Sequence, residues 1–253
     1  QHEDLAQKVS SFDGHVYMTH LSSSLMGKTL LTVEETGSTQ DFMRAHQAVL
    51  PPCSVITAAR QVAGKGRGGN QWTSPAGCLM FTAARQLTVP GAQAPFINYV
   101  VCLGVLQGIQ DAVAHVCPGA PPLHIRIKWP NDIYHAPPGR VPLKLGGALI
   151  NTTWSSGRFN ALVGVGLNVG NQQPTTCLQA ILDQALESHH PQATVTDGPS
   201  AGVNTSDGDG QQPEVAAAPQ DAVAAVGAEI VELLQGLNTG GPSSTGSGAA
   251  PPS

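Results

Sequence analysis

The chain has 253 residues, 41% of them hydrophobic and few of them aromatic, so it can bury a sizeable aliphatic core. No apolar run approaches the roughly 20 residues of a membrane span, and no basic segment precedes an apolar one at the N-terminus, so a soluble protein without a membrane partner is expected. The five cysteines are scattered and lack Cys-x-x-Cys spacing, and the nine histidines lack metal-ligand spacing. Neither a disulfide framework nor a protein-bound metal site is therefore predicted.

The net charge of −5 is distributed unevenly along the chain. All twelve Lys and Arg lie at or before Arg158, together with eight acidic residues, whereas the remainder carries nine acidic residues and no basic one. Anion-binding chemistry is therefore expected in the first part. The basic residues are spread over several predicted elements, which argues against a nucleic-acid-binding surface.

Hydrophobic periodicity and turn residues predict a succession of strands and helices. In chain order these are an N-terminal arm over residues 1–28, a strand over 30–35, a helix from 38 or 39 to about 49, strands over 54–60 and 78–84, a helix over 96–116, strands over 125–129, 144–153 and 160–168, and helices over 177–187 and 221–237. Ser38 or Thr39 is the predicted N-cap of the first helix, with Asp41 completing a capping box. The order favours a mixed α/β or α+β sheet, with a hairpin turning at residues 155–157.

The segment QVAGKGRGGNQWTSPAG, residues 61–77, is dense in glycine and lies between two predicted strands. Glycines let the backbone approach a ligand closely, and Lys65 and Arg67 alternate with them, a pattern typical of an anion site. The segment fits neither the P-loop nor the dinucleotide-binding fingerprint. A glycine-rich hairpin or flexible surface loop is the alternative, which the two cations and a Trp72 expected to be buried disfavour.

Three further clusters combine polar side chains with glycine. KWPND, residues 128–132, would deliver a cation, an amide and a carboxylate to one rim, or else form a simple strand-to-turn corner. KLGG, residues 144–147, is either a site or a solvated lysine before a glycine bulge. GVGLNV, residues 164–169, is either a site or a sheet whose glycines relieve crowding.

Taken together, these clusters resemble the biotin protein ligases, also called holocarboxylase synthetases. The motifs that carry the resemblance are ETGSTQ at 35–40, QVAGKGRGGNQWTSPAGCL at 61–79, KWPNDIY at 128–134, KLGGALI at 144–150 and GVGLNV at 164–169. Five motifs in the family's order make a chance match very improbable, and the loop is similar to that of eukaryotic members. The resemblance implies an α+β (mixed α/β) fold, a central mixed sheet flanked by helices, of the class II synthetase-like biotin and lipoate ligase type.

The resemblance also implies a reaction in two steps. The carboxylate of biotin attacks the α-phosphate of ATP to form biotinyl-5′-AMP, with Mg²⁺ sharing the charge, and a lysine of a carboxylase carrier domain then takes the biotin. By motif position, Arg67 clamps the phosphate or the biotin carboxylate, Lys144 lies between carboxylate and α-phosphate, and Asp132 orients the incoming lysine or accepts its proton.

The same resemblance implies a wider set of ligand-binding residues. They are Ser38, Thr39 and Gln61 at the ureido ring of biotin, Asn168 at adenine, Trp72 over the nucleotide, and Gln40, Gly64, Lys65, Gly66, Gly68, Lys128, Asn131, Gly146 and Gly147, in addition to Arg67 and Lys144.

The chain departs from the family pattern at several points. Gln40 stands where the family commonly has Asn, and Asn151 where Glu is frequent. No winged helix is expected before the domain, and the C-terminal SH3-like domain of the family is expected to be absent. The catalytic domain is predicted at 29–187 and 220–237, separated by a disordered insertion over 188–219 and followed by a disordered tail over 238–253.

Two alternative functions are a lipoate or octanoate ligase of the same fold, and a protein that binds biotin and nucleotide without transferring biotin. The predicted partners are a biotin carboxyl carrier domain, biotin and ATP, with a homodimer also considered. Reduced cysteines and the eukaryotic-type loop favour the cytosol or a plastid.

Overall fold

The computed structural model of the chain describes residues 12–171 and 173–189 and, further along, Gly227, Ala228 and Ile230. Four α-helices and seven strands lie within residues 12–171 and 173–189. In chain order they are α1 Gly14–His20, β1 Leu30–Thr36, α2 Thr39–His46, β2 Val55–Gln61, β3 Cys78–Leu87, α3 Ile97–Val116, β4 Ile125–Lys128, β5 Asp132–His135, β6 Leu143–Ser155, β7 Arg158–Asn168 and α4 Leu178–His189.

The seven strands form one mixed sheet in the order β1-β2-β3-β7-β6-β5-β4. Strands β1 and β2 are parallel, and all other neighbours are antiparallel. The predicted β6–β7 hairpin is confirmed: Ser155 pairs with Arg158, and Ser156 and Gly157 turn the chain with φ values of 51° and 77°. Two positive φ values suit the right-handed twist of the flanking strands. The mixed α/β fold with a helix-flanked sheet is thus as the sequence predicts.

The two faces of the sheet are covered differently. Helix α3 packs on one face, where Val105 and Ile109 join Leu145 and Val165 in the main core. Helix α2 is much shorter and covers only part of the other face, over a small core that includes Met43. The rest of that second face, over β3, β7, β6 and β5, is left open for a cavity.

Helix α3 and the 3₁₀ turn before it, Gly91–Val116, are long and apolar enough to cross a membrane by length and composition, with a mean hydropathy of 1.4 over an 18-residue stretch. The expectation that no apolar run approaches that length is therefore wrong. In this fold the segment is a core helix, because residues such as Val101 and Val105 are buried against the sheet.

The N-terminal segment differs from the predicted arm. It contains α1, which Asp13 caps by accepting hydrogen bonds from the backbone N–H of His15 and Val16 at 2.8 and 3.0 Å. Tyr17 is buried at 1% exposure in the main core. A helix of seven residues is too short to show a period in the sequence, which is why it was not predicted.

The start of α2 also differs in detail. Ser38 occupies the N-cap position, but its side chain makes no capping hydrogen bond, so the predicted capping box with Asp41 is wrong. Instead the side-chain oxygen of Gln61, at the end of β2, accepts a hydrogen bond from the N–H of Thr39 at 2.8 Å. The helix ends at His46, three residues before the predicted limit. A side chain distant in sequence has taken the role of the cap.

Strand β5 was not predicted, because Asn131 and Asp132 are typical turn residues. It pairs with β4 and β6 and begins at Asp132 itself. The predicted insertion over 188–219 begins inside α4 and otherwise lies outside the described residues, as do residues 1–11 and the tail from 238. Of the predicted helix over 221–237, Gly227, Ala228 and Ile230 are described, and they are helical and buried.

Candidate active site

A cavity of about 590 Å³ lies on the open face of the sheet, a volume in the range of small-molecule sites. Its floor is made by β3, β7, β6 and the start of β5, and its sides by the start of α2 and the 61–77 loop. Predicted site residues in its lining are Ser38, Thr39, Gln40, Gln61, Lys65, Gly66, Arg67, Gly68, Trp72, Asn131, Asp132, Lys144 and Gly147. Side chains far apart in sequence therefore meet around one space.

The glycine-rich segment is a tight hairpin, which is the alternative that the sequence left open, and it also forms a wall of the cavity. The N–H of Gly66 donates to the carbonyl of Asn70 at 2.7 Å, and the N–H of Trp72 donates to the carbonyl of Gly64 at 2.9 Å. A Cβ on Gly64 would lie 2.5 Å from the carbonyl oxygen of Trp72, so a side chain there would open the hairpin. The tip turns at Gly68, whose φ is 69°.

The two cations of this hairpin have different surroundings. The amine of Lys65 lies 2.6 Å from the carboxylate of Asp41 on α2, and Asp41 also pairs with Arg44. The hydrogen bond from Lys65 is the main cause that lowers the pKa of Asp41 below its usual range. Arg67 lines the cavity and forms no ion pair with the described residues. Its charge is the one that this loop leaves available to an anion.

Trp72 packs against β7 of the sheet, beside Lys144. A Cβ on Gly166 would be 2.7 Å from the indole nitrogen of Trp72, so the glycine in β7 makes room for the ring. The amine of Lys144 lies 5.7 Å from the centroid of that ring, within cation–π range. Trp72 is half-buried, so the expectation that it packs against the protein holds in part.

Lys144 and Asp132 form an ion pair of 2.8 Å at the cavity, with their side chains 36% and 25% exposed. A β-bulge brings them together, because Ile133 pairs with Gly146 but the next residue of β5 pairs with Lys144. The extra residue, Leu145, points into the core and is fully buried. The bulge thereby turns Lys144 to the same face as Asp132, as bulges beside active sites commonly do. The glycine bulge that the sequence suggested as an alternative to a site is a part of the site.

Gly147 allows the KWPND corner to approach β6. A Cβ on Gly147 would lie 2.9 Å from the carbonyl oxygen of Asn131 and 3.1 Å from a carboxylate oxygen of Asp132. The side-chain amide of Asn131 donates to the carbonyl of Ala148 at 2.9 Å and is buried. Asn131 therefore fixes the position of Asp132 beside it.

Four polar side chains form a connected network on the opposite side of the cavity. The hydroxyl of Thr39 donates to the side-chain oxygen of Gln61 at 3.1 Å, and the amide of Gln61 donates to the hydroxyl of Ser74 at 3.0 Å. Thr82 on β3, fully buried, donates to the hydroxyl of Thr39 at 3.0 Å. These groups hold a small patch of hydrogen-bonding atoms in fixed positions.

Gln40 closes one end of the cavity. Thr82, Gly164 and Leu149 lie side by side on three neighbouring strands and line the cavity, whereas the next row, which contains Leu162, does not. The Gln40 amide crosses there and donates to the carbonyls of Leu149 at 2.7 Å and Leu162 at 3.4 Å. Gln40 is 3% exposed, so its side chain lies in the protein interior and forms the boundary of the cavity at this end.

Asn151 fixes the position of the Gln40 side chain. Its amide donates to the side-chain oxygen of Gln40 at 2.7 Å, although Asn151 itself does not line the cavity. Gly164 makes the arrangement possible, because a Cβ there would lie 3.0 Å from the Gln40 amide nitrogen. The two positions that are expected to depart from the family pattern are thus hydrogen-bonded to each other.

Four predicted site residues do not line the cavity: Gly64, Lys128, Gly146 and Asn168. Gly64 and Gly146 act on the backbone, since a Cβ on Gly146 would lie 2.5 Å from the carbonyl oxygen of Gly166. Lys128 lies at the sheet edge, with its amine over the Tyr134 ring. Lys128 pairs directly with Asp132 in the register of β4 and β5 but does not line the cavity itself, so its contact with a ligand stays a prediction.

Several lining residues were not predicted as site residues. They are Asn70, Gln71, Phe81, Thr82, Pro130, Ala148, Leu149, Gly164, Val165 and Gly166. Thr82 had a visible signal, since a lone hydroxyl in the apolar strand CLMFTAA needs a hydrogen-bond partner. The crowding interpretation of Gly164 and Gly166 is confirmed, and the neighbours that they accommodate, Gln40 and Trp72, both line the cavity.

Residues 32–168 match the Biotin/lipoate A/B protein ligase family, and this match contains all residues that line the cavity. The chain belongs to that family. Biotin–protein ligase 1, chloroplastic, of Arabidopsis thaliana is 39% identical over 175 residues, which cover 68% of this chain and 45% of that protein. Biotin–protein ligase of Homo sapiens is 31% identical over 185 residues, covering 70% of this chain and 24% of that protein.

The chain thus spans about half the length of the first relative and a quarter of the second. A crystal structure of biotin protein ligase from Leishmania major in complex with biotinyl-5-AMP superimposes with a TM-score of 0.56 at 21% identity, covering 84% of this chain and 77% of that chain. At that identity the likeness establishes a common fold.

Proposed function

We propose that this chain is the catalytic domain of a biotin–protein ligase, which activates biotin with ATP and transfers it to a lysine of a carboxylase carrier domain. The observation that carries the proposal is the Lys144–Asp132 ion pair, which faces the cationic hairpin across one cavity. Both curated relatives bear the name biotin–protein ligase, and the L. major enzyme was crystallised with biotinyl-5-AMP.

In the first step the biotin carboxylate attacks the α-phosphate of ATP, a P–O bond forms, and pyrophosphate leaves. Nucleophile and electrophile are both anionic, so a cation between them lowers the barrier. Lys144 is assigned that position, because its ion pair with Asp132 and its contact with Trp72 hold the amine at the cavity. Arg67 is assigned to clamp the phosphate or the carboxylate from the hairpin side.

In the second step the ε-amine of the carrier lysine attacks the activated carbonyl, the amide forms and AMP leaves. Asp132 is assigned to orient the amine or to accept its proton, since it is the carboxylate that lines the cavity within the described part of the chain. It lies beside Lys144, so both steps use the same rim.

The end of the cavity that Gln40 closes is assigned to the ureido ring of biotin. The Thr39–Gln61 network, with Ser38 next to it, offers hydrogen-bonding atoms there, and Gln40 limits the depth. The nucleotide is assigned to the side covered by Trp72. Asn168 lies outside the cavity lining, where it accepts a hydrogen bond from Asn171 at 2.9 Å, and its contact with adenine stays a prediction.

The remaining predicted ligand contacts are of two kinds. Gly64, Gly66, Gly68, Gly146 and Gly147 would permit close approach, and Lys65 and Asn131 act through neighbours, since Lys65 pairs with Asp41 and Asn131 fixes Asp132. ATP and biotin are the proposed ligands. For Mg²⁺, the described residues contain no group of three or more acidic, His or Cys side chains, and Asp132 is already paired with Lys144. These residues do not fit a dedicated metal site, so no step is assigned to the ion.

Biotin-dependent exchange of pyrophosphate into ATP, followed by labelling of a carrier domain, tests the proposal. Activity in both assays is expected, and loss of both would refute it. Adenylate formation without labelling would indicate a protein that only binds and activates biotin. If lipoate or octanoate competes with biotin for binding to this chain on equal terms, the lipoate ligase is favoured instead.

A reducing compartment such as the cytosol or a plastid is proposed as well, because all five cysteines are free thiols and four of them are buried. Imaging of the tagged protein tests this, and a secreted protein would contradict it. Homodimer formation stays a prediction, for which sedimentation equilibrium is the measurement.

A further inference from the structure

The edge strand β4 carries two cations on the cavity-bearing side of the sheet. Lys128 pairs with Asp132 on β5, and Arg126 pairs with Tyr134, which in turn pairs with Lys144 on β6. Paired residues of neighbouring strands lie on the same face. Two rows of paired residues therefore connect the cavity to the edge strand: one joins Asp132 to Lys128, and the other joins Lys144 through Tyr134 to Arg126.

Both cations are exposed and lack an acidic partner. Within residues 12–171 and 173–189, neither Arg126 nor Lys128 forms an ion pair. The amine of Lys128 lies only 3.5 Å from the hydroxyl of Tyr134 and 4.9 Å from the centroid of its ring. Among the described residues, this edge of the sheet therefore carries positive charge with which no acidic side chain forms an ion pair.

The spacing of the sheet ties these cations to the second step of the proposed reaction. Neighbouring strands lie about 4.8 Å apart, so β4 is about 10 Å from β6 and from Lys144. A lysine side chain reaches about 6 Å from its own backbone. A folded protein that delivers a lysine to Asp132 must therefore rest its surface against the rim beside it, and β4 is part of that rim.

We propose that Arg126 and Lys128 form a docking surface for an acidic face of the protein whose lysine is modified. This inference rests on the proposed function and adds to it where the protein substrate binds. Charge complementarity at such a surface raises the rate of encounter, and this effect weakens as ionic strength rises. Two cations are too few to neutralise the run of phosphates that a nucleic acid presents, which favours a protein partner.

The test compares carrier labelling by the wild-type chain, Arg126→Glu, Lys128→Glu and the double variant. The KM for the carrier is expected to rise about tenfold in the double variant, and by a smaller factor with kcat unchanged in Arg126→Glu, whose residue is not among the predicted site residues. Added NaCl is expected to raise this KM in the wild type and much less in the double variant. Arg126→Glu is expected to retain biotin-dependent pyrophosphate exchange, which shows that its fold and first step are intact.

Arg158→Glu is the matched control, since Arg158 is an exposed arginine at the β6–β7 turn and its reversal changes net charge equally. A KM for the carrier that is unchanged in the double variant, or raised equally in the control, would overturn the inference. If Arg126→Glu loses the first step, Arg126→Gln replaces it under the same criteria.

Binding of a single-stranded oligonucleotide tests the alternative partner. An oligonucleotide that binds the wild type but not the double variant, with the KM for the carrier unchanged, would assign the surface to nucleic acid and also overturn the inference. Failure of the proposed function is distinct, because the wild type would then label no carrier.

Discussion

Asn151 on β6 donates a 2.7 Å hydrogen bond to the side-chain oxygen of Gln40 on α2, and Gln40 alone of the two lines the cavity. Gln40 is buried and Asn151 is half-buried, and together they make a hydrogen-bonded pair. The partnership gives a residue outside the cavity control over its depth.

Asn151→Ala should therefore weaken biotin binding and lower Tm modestly. The oxygen of Gln40 would lose its donor, and such a hydrogen bond contributes about 1 kcal/mol, so the Kd for biotin should rise roughly fivefold. Titration calorimetry with biotin and octanoate measures this, and the discrimination between the two acids should fall.

Thr153→Ala, at an exposed position two residues along β6, is the control and should leave both affinities unchanged. Gln40→Ala combined with Asn151→Ala should cost less than the sum of the single changes, because the two side chains act as a pair. Strict additivity, or unchanged biotin affinity in a folded Asn151→Ala, would contradict the role of Asn151.

Lys144→Ala should abolish adenylate formation while the fold persists. The side chain is 36% exposed and its backbone lies in a strand, so the loss is electrostatic, about 10²–10³-fold in the rate of pyrophosphate exchange. Lys28→Ala removes an exposed lysine outside the site and serves as the control. Turnover in Lys144→Ala equal to that of the control would rule out the assigned role.

Gly166→Ala should destabilise the protein by about 1–3 kcal/mol, since the new methyl would meet the Trp72 indole at 2.7 Å and displace the ring. Thermal unfolding and tryptophan fluorescence report the two effects. Gly91→Ala is the matched control, because nothing lies within 4 Å of its added Cβ. Equal Tm values for the two variants would show that Trp72 yields without cost.

The Asp41–Lys65 ion pair should weaken in acid. The pKa of Asp41 is lowered by Lys65, so the stabilisation it provides is present above the usual aspartate pKa and is lost as pH falls through the lowered value. Both side chains are about half exposed, so the contribution to the free energy of unfolding is small. In Lys65→Gln, NMR titration should find the pKa of Asp41 closer to its usual value, and an unchanged pKa would contradict the pairing.

The order of strands and helices could be predicted from residues 30 to 187 because most elements have their own period or turn signals. Helix α3 and the β6–β7 hairpin were placed within one or two residues. Helix α1 and strand β5 could not be, since each is short and begins at residues that are equally typical of turns. Their formation depends on partners that sequence neighbours do not reveal.

Within the candidate site, the sequence by itself determined the chemistry on offer: a cationic glycine hairpin, a lysine, a carboxylate and a set of hydroxyls and amides. Only the tertiary structure decided which of these share one cavity. A single extra residue, Leu145, turns Lys144 toward Asp132, the length of the Gln40 side chain closes the far end, and strand spacing leaves Lys128 at the edge. Register and reach across a sheet arise from contacts between distant segments, which is why no local pattern could encode them.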